Sequence, residues 1–307
     1  MENLNIDKNL WRPLSQEDRD SEKILRPSMT YWQDVWRRLK NNKVAMGSLV
    51  FLIFLVIIAT VGPMMAKYSY SDQNLLNVNQ MPNAEHWFGT DSHGRDLYVR
   101  VLYGARISLT VGIVASVINL VIGVLYGGIA GYFGGKIDNI MMRIVDILYT
   151  IPLTLYVILL MVVMGTGLKA ILVAIGSVYW INMARIVRGQ ILSLKEQEYV
   201  LAAKTLGASD FRILIMHLIP NAMGPIIITM TMSIPSAIFT EAFLSFIGLG
   251  VSAPMASWGV LANDALSTLS IYPYQLFFPS LAISVTMLGF NFLGDGLRDA
   301  LDPRMRK

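Results

Sequence analysis

"LAAKTLGASDFRILIMHLIPN", Leu201 to Asn221, interrupts a chain otherwise built from long apolar runs. Lys204, Asp210 and Arg212 make the stretch too charged to sit in lipid, yet it is rich in small residues. Ala203 and Gly207 stand four apart and share one helix face, with Ala202 beside them. Small side chains there expose backbone to whatever packs against it. Gly207 can take the left-handed conformation that ends a helix. Ser209 or Asp210 can then cap the next one, from Phe211 to Leu218, and Pro220 sets where the chain re-enters the membrane. The pattern predicts two short helices outside the bilayer, which serve either as a docking element for another protein or as a plain surface hairpin.

The rest of the chain decides what that hairpin is attached to. Of 307 residues, 54% are hydrophobic and 15% charged, and the mean hydropathy is +0.51. Soluble domains average about 45–50% apolar and about 25% charged residues, so this is a polytopic membrane protein. A spanning helix needs about 20 mostly apolar residues. Six segments qualify: Val44–Ala66, Ile107–Phe133, Ile147–Leu168, Ala170–Ala184, Leu218–Thr240 and Leu276–Leu293. The fourth is short and flanked by Lys169 and Arg185, which can snorkel to the interfaces. The fifth is broken by Pro220, Pro225 and Pro235. In the second, Gly123, Gly127, Gly131 and Gly135 repeat every four residues, a ladder that lets a neighbouring backbone approach closely.

With the N-terminus inside, the inner segments carry 20 Lys and Arg residues and the outer segments 5. That bias favours N-in, C-in and puts Arg185–His217, with the opening stretch, on the cytoplasmic side. The expected organisation is a cytoplasmic tail (1–43), a first span with its outer loop (44–106), a core of spans (107–293) holding an inner loop at 185–220, and a short cytoplasmic tail (294–307). The N-terminal tail contains Trp11 and is too polar for a cleavable signal peptide. Within it, Ser28–Lys43 reads as an amphipathic helix at the membrane surface, with Trp32, Val35, Trp36 and Leu39 on one face, or as a solvated lead-in.

Catalytic chemistry has no foothold. The Gly135-Lys136 pair lacks the first glycine and the following Ser or Thr of a phosphate loop, and no His-Glu-x-x-His or Gly-x-Ser-x-Gly occurs. The absence of cysteine excludes disulfides and thiolate metal sites. His86, Asp91 and His93 can be read as metal ligands, or as a turn at Gly89-Thr90-Asp91 leading into residues that pack on the outer ends of the spans; the second reading is preferred and no metal is expected.

At this point a resemblance enters. The opening stretch is similar to the cytoplasmic signature loop of permease subunits in binding-protein-dependent ABC importers: Glu-Ala-Ala, three residues, Gly, nine residues, Ile, one residue, Leu-Pro. Ala202, Ala203, Gly207 and Pro220 match in register. Leu201, His217 and Ile219 depart from it, and Glu198 lies three residues before the position of the missing glutamate. The ending His217-x-x-Pro220-Asn221 resembles the peptide and nickel branch. "HWFGTDSHGRDLYVRVLYGARISL" (His86–Leu109), "EAFLSFIGLG" (Glu241–Gly250) and "FNFLGDGLRDALDPR" (Phe290–Arg304) resemble further segments of the C-type oligopeptide and dipeptide permeases, in order along the chain.

The resemblance implies an all-α membrane protein with the type I ABC importer permease fold, itself not an enzyme. It implies a B-type permease partner, two ATP-binding subunits that hold ATP and magnesium, and an extracytoplasmic peptide-binding protein, with no cofactor on this chain and no nucleic acid. The location would be the cell membrane of a bacterium or archaeon, and the cargo oligopeptides or dipeptides, or alternatively nickel or another small solute. Glu198, Ala202, Ala203, Gly207, Asp210 and Pro220 would form the ATPase-coupling loop. A self-contained secondary transporter is the competing class. Inverted repeats are not evident, and Asp146 and Glu241 sit at span ends. Ser233, Thr240 and Glu241 remain as pore or gate candidates. The two hydroxyls share a stripe that flanks the carboxylate, whose alternative role is to hold the turn at Gly248–Gly250.

Overall fold

The computed structural model describes residues 30–302. Trp11, Ser28 and Met29 of the N-terminal reading, and residues 303–307 including Arg304, lie outside them. Within the described residues the regular structure is helical, apart from an isolated bridge between Thr90 and Asp96.

Helix α1 (Tyr31–Asn41) starts on a capping box: the Thr30 side chain accepts from the Gln33 amide while the Gln33 side chain accepts from the Thr30 amide. Val35 and Leu39 are buried against Ala45, Ala300 and Leu301, whereas Trp32 and Trp36 stay exposed. The four apolar positions thus divide between a protein seam and an outward face, because the neighbouring helix end is wide enough to cover only two. Asn42 closes α1 and caps α2 (Lys43–Met65), the first span.

Helix α3 (Leu97–Phe133) begins ten residues before the apolar run at Ile107. At about 1.5 Å per residue it is ~55 Å long, against a hydrocarbon core of about 30 Å. Counting apolar residues stops at Arg100 and Arg106, but Arg100 is buried and ion-paired inside the protein, so the helix carries it without exposing charge to lipid.

The third span is not one straight helix. α4 (Gly135–Thr150) and α5 (Leu153–Met164) meet at 86°. Pro152 has no amide hydrogen to continue the ladder, and it forces Ile151 into an extended conformation. α5 alone, ~18 Å long, is too short to cross. Among the described residues five helices are long and apolar enough to span singly, and the bent pair, counted as one broken span, brings the number to six.

α6 (Leu168–Leu194) corrects the fourth span, which was placed at Ala170–Ala184. The helix continues ten residues further, through the start of the expected inner loop. Its inward charges have partners: Arg185 donates to Asp146 (2.8 Å), and Arg188 grips Asp138 with two 2.6 Å hydrogen bonds. α3 packs on α6 through the glycine ladder. A β-carbon at Gly123 would lie 2.5 Å from Met183 Cβ, one at Gly131 2.9 Å from the Arg188 carbonyl oxygen, and one at Gly127 would overlap the Ala184 carbonyl. Gly135 is outside this seam and opens α4 at φ +55°.

Beyond α6 come α7 (Glu198–Thr205) and α8, which joins Asp210–Arg212, a wider π-helical stretch Ile213–Leu218 and Ile219–Asn221. Pro220 cannot donate to the ladder, and the chain meets this by shifting to wider hydrogen bonds, such as Ile219 N to the Leu214 carbonyl. The fifth span, α9 (Met223–Leu244, extended by Ser245–Leu249), starts after Pro220 and runs through Pro235. The break expected at Pro220 falls between α8 and α9, whereas the helix runs on through Pro225 and Pro235, where breaks were also expected. α10 (Trp258–Asp264) lies across the outer end, and α11 (Tyr274–Leu301) is the sixth span.

Candidate functional site

Three places along the membrane normal hold the candidate residues. At the inner end, α7 and α8 form a projection with a buried base: Val200, Ile213 and Leu218 pack with Met183, Val187 and Ile191 of α6. Gly207 sits at φ +83°, a left-handed position that joins the two helices. Its amide donates to the Lys204 carbonyl and the Ala208 amide to the Ala203 carbonyl, both at 3.0 Å. Ser209 caps α8, its hydroxyl accepting from the Arg212 amide. Asp210, the other capping candidate, instead accepts a 2.6 Å hydrogen bond from Tyr132 at the inner end of α3. Glu198 opens α7, where the helix dipole favours a carboxylate, and has no ion pair among the described residues.

The small face is split. Ala202 and Gly207 are exposed, while Ala203 turns partly onto the buried base. What the tip displays instead is apolar: Leu206 is 87% exposed and Phe211 74%, with Leu201 and Met216 beside them in the same segment. Those four side chains were not read from the sequence, although "LGASDF" places Leu206 and Phe211 either side of a helix-breaking turn.

In the membrane, α6 and α9 line a groove of about 470 Å3. Its polar lining is Asn119, Tyr149, Tyr179, Asn182, Thr229, Ser233 and Ser236, and no lining residue is charged. Ser233 donates to Ser116 of α3 (2.8 Å) and to the Met230 carbonyl (2.7 Å). Thr240 is hydrogen-bonded to the Tyr179 hydroxyl, which also donates to the Ser236 carbonyl at 3.0 Å. Ser233 lines the groove and Thr240 joins its wall through Tyr179, one path of hydrogen bonds along α9. The stripe Thr229, Ser233, Ser236, Thr240 follows helical spacing and was readable from the sequence; Asn119 and Tyr179 belong to other helices and no local pattern links them to it.

Glu241 stands apart from that path. It is fully buried behind α9, accepting from Ser108 of α3 (2.9 Å) and from Ser245 (2.7 Å). Ser257, the cap of α10, reaches Ser245 at 3.3 Å. Outside this cluster Asp91 accepts from Arg95 (2.6 Å), while Asp264 of α10 lies 3.4–3.5 Å from both Arg95 and Arg100. Burial pushes the Asp264 carboxyl above its ordinary value, against the opposing pull of Arg100 and Arg95. His86 meets Asp96 at 2.7 Å, and Asp96 caps α3. His86 and Asp91 are thus engaged by different partners, and the turn at Gly89–Asp91 packs on Tyr274 and Gln275 at the outer end of α11.

A bundle of spans with an uncharged, largely apolar groove set with a few polar side chains, and an inner projection with an apolar tip, fits a transporter's membrane subunit. Residues 123–307 match the model of the family described as the binding-protein-dependent transport system inner membrane component, and residues 30–82 match the N-terminal TM domain of oligopeptide transport permease C. The chain belongs to this family of ABC importer permease subunits, as its four sequence motifs implied. It is 54% identical over 303 residues to the oligopeptide transport system permease protein OppC of Bacillus subtilis, covering 99% of each chain. With the dipeptide transport system permease protein DppC of the same organism it shares 56% over 299 residues, covering 97% of this chain and 93% of that one. An inward-facing structure of the MetNI methionine ABC transporter superposes with a TM-score of 0.53 at 18% identity, over 67% of this chain and 96% of its own, a likeness of fold.

Proposed function

We propose that this chain forms half of the translocation pore of an importer for oligopeptides or dipeptides in a bacterial or archaeal cell membrane. A B-type permease supplies the other half, an extracytoplasmic binding protein delivers the cargo, and of two ATPase subunits, which hold the ATP and magnesium, one seats on the α7–α8 projection. The observation that carries this reading is the projection itself: its base is packed into the spans while Leu206 and Phe211 face solvent. Exposed aromatic and aliphatic side chains on a rigid, membrane-anchored hairpin fit a protein groove, where such anchors dominate binding. Glu198, Ala202, Gly207 and Asp210 shape that hairpin, Ala203 and Pro220 anchor it, and a stroke delivered there reaches α6 and α9, the walls of the groove. Ser233 and Thr240 border the path, and Glu241 braces α9 from behind. The names of the relatives, both peptide permeases, support the cargo class.

The test replaces both anchors, Leu206→Glu with Phe211→Glu, in the full complex. Membrane insertion and melting temperature should stay as in the native protein, because both side chains are already in solvent. Co-purification of the ATPase subunits and peptide uptake should fall at least tenfold. Native levels of assembly and uptake would sink the docking assignment.

A further inference from the structure

The groove has a second property, separate from its position. Asn119, on α3, is 2% exposed and lines it, yet its side-chain Oδ1 is buried with no hydrogen-bond partner. Buried polar atoms in native structures are nearly always satisfied, and an orphan acceptor is destabilising. Two neighbouring hydroxyls are spent on the protein: Ser233 and Tyr179 bond Ser116, the Met230 and Ser236 carbonyls and Thr240. Asn182 lines the same wall but is exposed, so Asn119 is the groove residue whose acceptor is both buried and unpartnered.

Charge is the other half of the observation. The nearest ionised groups, Arg185 and Asp146, neutralise each other at 2.8 Å, with the guanidinium 4.4 Å from the ring centre of Tyr149 at the groove's inner edge. A fixed charge in a low-dielectric passage would hold oppositely charged side chains and repel like ones, and conduction needs contacts weak enough to release. Peptides differ in side-chain charge but share their backbone amides.

Resting on the peptide-importer reading, we infer that this half of the pore recognises cargo by its main chain, with the Asn119 carbonyl accepting a backbone N–H of an extended peptide. Rotation of the amide about its last side-chain bond turns Oδ1 from its buried position to the cavity, a soft torsion for asparagine. Asn119 is then a specificity-determining residue for amide-linked cargo, indifferent to side-chain charge.

The experiment uses the whole importer in proteoliposomes, with trialanine and analogues in which one peptide N–H at a time is replaced by an ester oxygen. Each cargo is supplied at a level saturating the binding protein, and uptake is measured with native permease, Asn119→Leu and Asn119→Asp. Any preference of the binding protein cancels, because the same binding protein serves every permease. The amide-to-ester rate ratio should drop about three- to tenfold in Asn119→Leu, the scale of one net hydrogen bond. Asn119→Asp, which keeps an acceptor but adds charge, should retain the ratio while slowing triglutamate relative to trilysine. An unchanged amide-to-ester ratio in a well-assembled Asn119→Leu complex overturns the inference. So does an Asn119→Asp complex that moves acidic and basic peptides in native proportion. Absence of trialanine uptake by the native importer would instead remove the peptide reading on which it rests.

Discussion

The two ends of the bundle differ in how they treat their charged groups. At the outer end, charges are paired inside the protein: Asp91, Arg95, Arg100 and Asp264 form one cluster, His86 and Asp96 another, and Glu241 sits among serines. At the inner end, the α7–α8 projection leaves large apolar side chains in water and relies on one left-handed glycine for its turn. The outer end pairs its charges, although it too leaves Leu75, Leu76 and Trp87 exposed and buries His86 Nε2 and Arg100 Nε without a hydrogen-bond partner. The inner end carries its exposed apolar side chains on a turn between two short helices, the feature on which the proposed docking rests.

The strongest challenge to this contrast is to unwire the outer end. Arg100 is 1% exposed, lies 3.5 Å from both Asp91 and Asp264, and donates to the Tyr70 carbonyl. Arg100→Met leaves the buried Asp91 and the half-buried Asp264 to Arg95 alone, a cost of up to about 3–5 kcal/mol. Loss of folded, monodisperse permease after detergent extraction is the expected readout. A melting temperature within a degree of the native protein would show that the cluster is decorative.

Between the two ends lies the α3–α6 seam, a run of close glycine contacts between spans that the proposed stroke would cross. Gly127→Leu drives a side chain into the Ala184 backbone, and overpacking of this kind costs about 1–3 kcal/mol. The variant should melt lower and lose ATPase coupling together. Gly135→Ala, where a β-carbon meets nothing within 4 Å although φ is +55°, separates backbone strain from packing and should leave coupling intact.

The seam was legible in the sequence because glycines four apart in an apolar run have one economical explanation. So were the number of spans and the hairpin turn at Gly207. The outer ten residues of α3 were not, because Arg100 reads as a boundary until its partners, one of them 164 residues away, are in place. The third span reads as one run from Ile147 to Leu168, and the 86° break at Pro152 inside it depends on packing against α6. In the groove, Ser233 and Thr240 follow from spacing on a single helix. Asn119 is isolated in α3, and its unpaired carbonyl is a property of three helices meeting. Glu241 could be placed at a span end, but its serine partners come from α3, the end of α9 and the cap of α10.

The smallest expected effect asks whether the outer cluster is a brace throughout or ends in a looser contact at Asp264. This side chain is 34% exposed and its contacts to Arg95 and Arg100 are long, whereas Asp91 holds Arg95 at 2.6 Å. Burial, the largest influence, raises the Asp264 carboxyl above 3.8, and the two arginines only partly offset it. A carboxyl raised on folding binds its proton more tightly in the folded state. Its favourable contribution is therefore full below the unfolded value and is lost as pH rises through the folded-state value. An asparagine side chain at this position cannot ionise, so the melting temperature of Asp264→Asn minus that of the native protein should grow more positive from about pH 4 to about pH 7. The shift should be small, since a partly exposed pair contributes little. A difference that instead grows more negative with pH would mean that the arginines outweigh burial, making Asp264 a full member of the brace and extending the wired outer end onto α10.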